Sequence, residues 1–367
     1  MNCKYKKNLL LLLISATLVT GCGGSDSSSS SDNKNNNQFS DSISQSISGL
    51  ALGNNNEDTK DKSHDYALAV FDYKNKKEND EQDKPRFAIV HMNNKEKPIV
   101  EDIGGINDQE HVEWNDHPKG NDLESICKLN NNYYLAAESS YYHDKNTGKY
   151  LYGRVFLIHR SASLDPDGLI NGTLEVKKVY NITNKPEDFA NVNFEGLACA
   201  PADDGSEKYN ILLGDRESGV LYWDSIDSND FLDKSDETLH LKPVGKISAP
   251  KDWKTNRNIS DLFYSPQDHH LYGAASFDNK TTVHRSTLYR SSKVFELDNT
   301  EFMTALGPDS KVNIDKITDF KKDKIEGITG YSLQNGMFYG SDNDNNCSGC
   351  NTYGYISKSH THKITKS

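Results

Sequence analysis

Between about residue 39 and residue 360 the apolar positions come in runs of four to eight, separated by turns rich in Asn, Asp and Gly. No stretch keeps a helical spacing for long. β-branched and aromatic residues crowd the short runs, and Tyr (19) and Phe (13) far outnumber Met (4). This pattern predicts many short strands.

The runs repeat. Five first strands begin ISGLAL at Ile47, LESICKL at Leu123, FEGLAC at Phe194, ISDLFY at Ile259 and IEGITGY at Ile325, at intervals of 76, 71, 65 and 66 residues. Each reads apolar, then Ser or Glu, then a small or polar residue, then Leu or Ile. A second strand follows each one: YALAVFD from Tyr66, YYLAAES from Tyr133, NILLGDRES from Asn210, LYGAASFD from Leu271 and MFYGSDND from Met337. The intervals have room for a four-stranded antiparallel blade with loops. The fold expected is therefore all-β, a five-bladed β-propeller, with six blades as the alternative.

Third and fourth strands are expected at 86–92 and 97–103 in blade one, 151–160 and 174–182 in blade two, and 220–224 and 239–247 in blade three. Blade five has only 354–359 before the chain runs out, so Phe39–Ser46 is expected to supply its missing strand and close the ring.

The N-terminal segment follows a different pattern. Lys4, Lys6 and Lys7 precede an apolar run of eleven residues, Leu9–Val19, too short for the roughly 20 that span a bilayer. The run ends in Val19-Thr20-Gly21-Cys22, which resembles the bacterial lipobox; the resemblance implies cleavage after residue 21, acylation of Cys22 and a place on the cell envelope. Gly23, where an Asp would retain the protein at the inner membrane, points to the outer membrane in a Gram-negative cell. Residues 22–38 are Ser- and Asn-rich and read as a flexible tether. The domains expected are thus 1–21 signal peptide, 22–38 tether and 39–360 propeller.

Charge narrows the partners. Losing the three lysines of 1–21 takes the net charge from −12 to −12 − 3 = −15, which argues against nucleic acid and anionic head groups.

The repeated polar position carries the candidate chemistry. First strands line a propeller's channel, so Ser48, Glu124, Glu195, Ser260 and Glu326 are expected to converge at one level. Two carboxylates 4 Å apart repel by about 4 kcal/mol at an effective dielectric near 20. Either their pKa values rise or a cation sits between them. An oxygen-only set suits Ca²⁺ and offers nothing that zinc prefers.

The order Ser, Glu, Glu, Ser, Glu over five blades, with KIEGI at Lys324–Ile328 and ISDLFYSP at Ile259–Pro266, resembles the calcium-activated nucleotidase (apyrase) family. The apolar-Glu-Gly-Ile strand is also similar to SdiA-regulated proteins and esterase-like phytase propellers. These resemblances imply a central calcium and a phosphohydrolase activity. The second-strand ends depart from the nucleotidase pattern. They hold Asp72, Glu138, Asp215, Glu217, Asp342 and Asp344, with Arg216 as the only arginine. Such a rim would repel a nucleotide. The function expected is a calcium-binding propeller that holds a small anionic molecule or a protein at an acidic mouth. The alternative is a calcium-dependent phosphohydrolase, with Glu195 or Glu217 as general base and Arg216 meeting the substrate.

Two pairs of cysteines remain. Cys347 and Cys350 flank a polar Ser-Gly and read as a local disulfide in an exported loop. Cys127 and Cys199 follow Glu124 and Glu195 on neighbouring inner strands. Their differing parity could let them face each other between blades two and three; two buried thiols are the expected state, with a bridge as the alternative if the inner strands stand close enough. No GxSxG, HExxH or Gly-rich phosphate loop is present.

Overall fold

In the computed structural model, residues 47–53, 66–73, 86–91, 99–102, 112–145, 148–160, 174–183, 185–189, 191–233, 235, 237–277, 284–342 and 353–356 are described. The expected signal peptide, lipidated Cys22, tether, closing strand Phe39–Ser46, Asp344 and the Cys347/Cys350 pair all lie outside these residues.

The described residues form five antiparallel sheets that serve as blades. Blade one is Gly49–Leu52, Tyr66–Val70, Phe87–His91 and Ile99–Asp102; blade two is Leu123–Lys128, Tyr133–Glu138, Arg154–Arg160 and Leu174–Asn181. Blade three is Phe194–Pro201, Lys208–Asp215, Val220–Asp227 and Lys242–Ile247; blade four is Asp261–Ser265, His270–Phe277, Arg285–Ser291 and Ile314–Phe320. Blade five has three described strands, Ile325–Ser332, Gly336–Ser341 and Tyr353–Ile356. The innermost strands neighbour one another in the order one, two, three, four, five and back to one, which closes a five-bladed ring and removes the six-bladed alternative. At the seam the Ile47 N–H donates to the Ser341 carbonyl at 3.2 Å, and the Leu52 N–H to Thr329 Oγ1 at 2.9 Å.

The apolar pattern follows from this geometry. Side chains alternate between the two faces of a strand, and both faces of a blade are covered by neighbours. Leu50 and Leu52 pack toward blade five with Phe338 and Tyr331, while Ala51 packs toward blade two with Ile126 and Tyr134. Five buried clusters result, one at each interface between blades. The glycine of the repeated motif has a packing cause. A Cβ on Gly196 would lie 2.5 Å from Leu262 Cγ of blade four, so only glycine allows the inner strands to approach this closely.

Three details depart from expectation. In blade two, residues 151–152 belong to a separate hairpin (Tyr141–Asp144 with Lys149–Tyr152). Tyr152 (φ 66°) and Gly153 (φ 70°) turn the chain before the third strand starts at Arg154. Blade three's outer strand begins at Lys242 rather than 239. A short helix, Thr300–Ala305, sits between the outer strands of blade four, capped by Asn299, whose side chain accepts from the Phe302 N–H at 2.9 Å. The outer strands of blades two and three are covered by parallel additions, Val112–Glu113 and Glu237–Thr238 on one and Lys311–Val312 on the other. These additions protect edges that would otherwise pair with other chains.

Candidate functional site

The three ring glutamates occupy one local irregularity. The pairing register slips between Leu123 and Ser125, between Phe194 and Gly196, and between Ile325 and Gly327. Glu124, Glu195 and Glu326 are therefore the extra residues of β-bulges, a feature that re-aims a side chain at a strand start. All three are buried, as are Ser48 and Ser260 at the matching positions of blades one and four.

Around blades three to five, cations of the chain itself meet these glutamates. Arg257 Nη1 donates to Glu195 Oε2 at 2.8 Å and also to Glu326 Oε1, joining the two carboxylates. Arg216 Nη1 donates to Glu195 Oε1 at 2.6 Å, and its Nη2 lies 3.4 Å from Glu217 Oε1. Lys324 Nζ lies 3.3 Å from Glu326 Oε2 and 2.9 Å from Asp342 Oδ2. The result is an alternating chain: Glu217, Arg216, Glu195, Arg257, Glu326, Lys324, Asp342. Burial works against the Lys324 charge, but Glu326 and Asp342 outweigh it and hold its ammonium above the usual range.

Blades one and two differ. Asp72, Asp122 and Glu124 offer carboxylate oxygens that all lie within 4.8 Å of one another. Among the described residues Glu124 makes no hydrogen bond and no ion pair. Burial, and then the charges of Asp122, Glu195, Asp72 and Glu326, push its carboxyl well above the ordinary value. The hydroxyls of Ser48, Ser125 and Ser260 are buried without a hydrogen-bond partner.

The expected acidic mouth needs correction. Arg216 is not the only cation at this level, because Arg257 and Lys324 stand three and two residues ahead of their ring positions. The second-strand acids also serve as struts. Glu138 accepts from the Asn121 N–H at 2.9 Å and from Arg154 Nη2 at 2.5 Å. Asp215 accepts from the Asn193 N–H at 2.9 Å and the Ser218 N–H at 2.8 Å. Each pins the loop that leads into its own blade's inner strand. Blade four instead uses Asp261, fully buried, to accept from the Leu262 N–H at 2.8 Å and from the Ile328 N–H of blade five at 2.7 Å. Burial pushes the Asp261 carboxyl up. The one sequence signal for the missed cations is the basic residue just before a ring motif, as in Lys324-Ile-Glu326.

Of the two readings of the inner-strand cysteines, the bridge holds and the two free thiols do not. Cys127 and Cys199 form a disulfide, with Cα atoms 5.9 Å apart. Adjacent inner strands thus come well within bridging reach.

No family model matches the chain, and no curated protein matches it. Among solved structures, the chain is similar to RS223-Beta-xylosidase (12% identity, TM-score 0.42, covering 85% of this chain and 92% of that one). It is also similar to the endo-arabinase from Bacteroides thetaiotaomicron VPI-5482 (11% identity, TM-score 0.39, 85% and 93%). A third is the alpha-L-arabinofuranosidase CtGH43 from Clostridium thermocellum ATCC 27405 (10% identity, TM-score 0.38, 80% and 82%). Overlaps this loose carry none of those enzymes' chemistry to this chain, and the five-bladed ring stands on the sheets and interfaces described above.

Proposed function

We propose that this chain is an exported, lipid-anchored propeller that binds calcium at the glutamate end of its channel and holds a ligand or partner there. Glu124 carries the reading. It is a buried carboxylate without a pairing among the described residues, and the oxygens of Asp72 and Asp122 lie within 4.8 Å. Three hard oxygen donors, with the unpartnered hydroxyl of Ser48 at the matching position of blade one, suit Ca²⁺. Glu195 and Glu326 already have Arg257 between them, so the five-position ring contracts in this proposal to its blade one and two side. A calcium ion there would offset the repulsion among the three acids and offer open coordination positions to a ligand oxygen. The envelope address rests on Leu9–Val19 and Thr20-Gly21-Cys22.

Arg216 and Glu217 favour a second reading, a calcium-dependent phosphohydrolase of nucleotidase or phytase type. The Arg216 side chain is 24% exposed and that of Glu217 70%, so both can meet an anionic substrate. Both oxygens of Glu195 accept from arginines, so the general base falls to Glu217.

Two measurements separate these readings. Calorimetric titration with Ca²⁺ and Mg²⁺ is expected to give saturable calcium binding that Glu124→Gln abolishes; its absence in the wild type would sink both. Phosphate release from nucleotides and phosphate esters, with calcium and with chelator, then decides. Turnover lost in Glu217→Gln establishes the enzyme, and no turnover leaves the binding protein. For the anchor, palmitate labelling is expected to vanish in Cys22→Ser.

A further inference from the structure

The inner strands run from the glutamate level to the opposite end of the channel, where their later residues line a cavity of about 210 Å³ that is partly open to solvent. We propose that this cavity is a second binding site, for a small uncharged apolar molecule such as a substituted aromatic ring.

The lining includes Leu52, Leu129, Leu197, Leu262, Phe263 and Thr329, drawn from all five blades. Apolar cavities of about 150 Å³ already accept benzene. Ala51, Ala198, Ala200 and Gly330 also border this space. Its walls are fixed. The Cys127–Cys199 disulfide, itself in the lining, ties the inner strands of blades two and three, so the site is formed before a ligand arrives.

The polar groups of the lining define the ligand class. Asn130 Oδ1 accepts from the N–H groups of Asn132 and Tyr133, both at 3.0 Å, and its Nδ2 donates to the Tyr209 hydroxyl at 3.1 Å. The Tyr264 hydroxyl donates to Asp298 Oδ1 at 2.7 Å. Thr329 Oγ1 accepts from the Leu52 N–H. Lys128, the charged residue of the lining, is already engaged. These lining side chains already have partners, and most of the rest of the lining is apolar, which favours a neutral ligand over a charged one.

The test is ¹⁹F NMR of 4-fluorotoluene and of 4-fluorobenzoate with the full chain in detergent-free buffer. Saturable broadening by 4-fluorotoluene is expected, with 4-fluorobenzoate at least tenfold weaker. Phe263 is half-buried at the cavity wall. Phe263→Trp is expected to weaken 4-fluorotoluene at least tenfold, and Phe263→Ala to leave it as tight or tighter, with circular dichroism melts confirming that each variant folds. If the Trp variant fails to fold, the Ala variant and the charged analogue decide alone. Binding in Glu124→Gln is expected to match the wild type. No saturable broadening, equal affinity for the charged analogue, weaker binding in Phe263→Ala, or dependence on Glu124 would each overturn the proposal.

Discussion

Glu124→Gln removes one negative charge and almost no volume from the three-carboxylate group. Two unit charges 4.8 Å apart, the outer limit for these oxygens, interact by ~3.5 kcal/mol at an effective dielectric near 20. A carboxyl group avoids that cost by keeping its proton, so the realised penalty is limited by linkage. Burial, first, and the neighbouring acids raise the folded pKa of Glu124 above its ordinary value of 4.5. The native state then binds more protons than the unfolded state once the pH passes about 4.5. Wild-type stability falls as pH rises from there toward the raised folded value, by at most ~1.4 kcal/mol per pH unit. The Gln variant lacks this loss. In chelator, urea unfolding of both proteins at pH 5, 6, 7 and 8 is expected to show the variant more stable, by a margin that widens with pH. With calcium at ~100 times its dissociation constant the wild type should gain ~2.7 kcal/mol and the variant nothing, which reverses the order. A variant less stable in chelator at pH 8, or a margin independent of pH, would refute the claim that Glu124 is a buried acid without a compensating partner.

Three further outcomes follow from the packing and the ion pairs. Arg257→Ala leaves Glu195 and Glu326 without their shared guanidinium and is expected to lower stability by about 3–5 kcal/mol, a loss at the scale of breaking a buried pair; Arg257→Lys should recover only part of it, because one ammonium cannot reproduce the planar fork. Replacing both Cys127 and Cys199 by Ser opens a loop of sequence separation 72 and is expected to cost about 4 kcal/mol in denaturant unfolding; the wild type in dithiothreitol should fall toward the same midpoint, and an unchanged midpoint would contradict the bridge. Gly196→Ala puts a Cβ 2.5 Å from Leu262 Cγ and should lower the melting midpoint by the equivalent of about 1–3 kcal/mol; a neutral result would mean the blade three and four inner strands are not this close.

The repeat, the first and second strands of every blade and the level of the ring glutamates were legible along the chain. Each rests on local periodicity, on a strand buried on both faces and on a glycine wherever the next blade presses against it. The same local logic fails for side chains whose partners lie on other blades. Arg257 and Glu326 are 69 positions apart, and nothing near either one marks the other. Asp215 looks like a rim acid in the sequence because its partners, backbone N–H groups of nearby loops, have no residue identity to read, and Glu138 does because its Arg154 partner stands 16 positions away on the third strand. The Cys127–Cys199 bridge depended on how closely two inner strands stand, a distance set by the ring's closure. The apolar cavity depended on the same closure, since its lining comes from the inner strands of all five blades. Local patterning, in short, is enough to make strands and order them into blades, because it acts through neighbours in the chain. Which charges pair, which cysteines meet and which end of the channel stays open are decided only when five copies of that pattern face one axis.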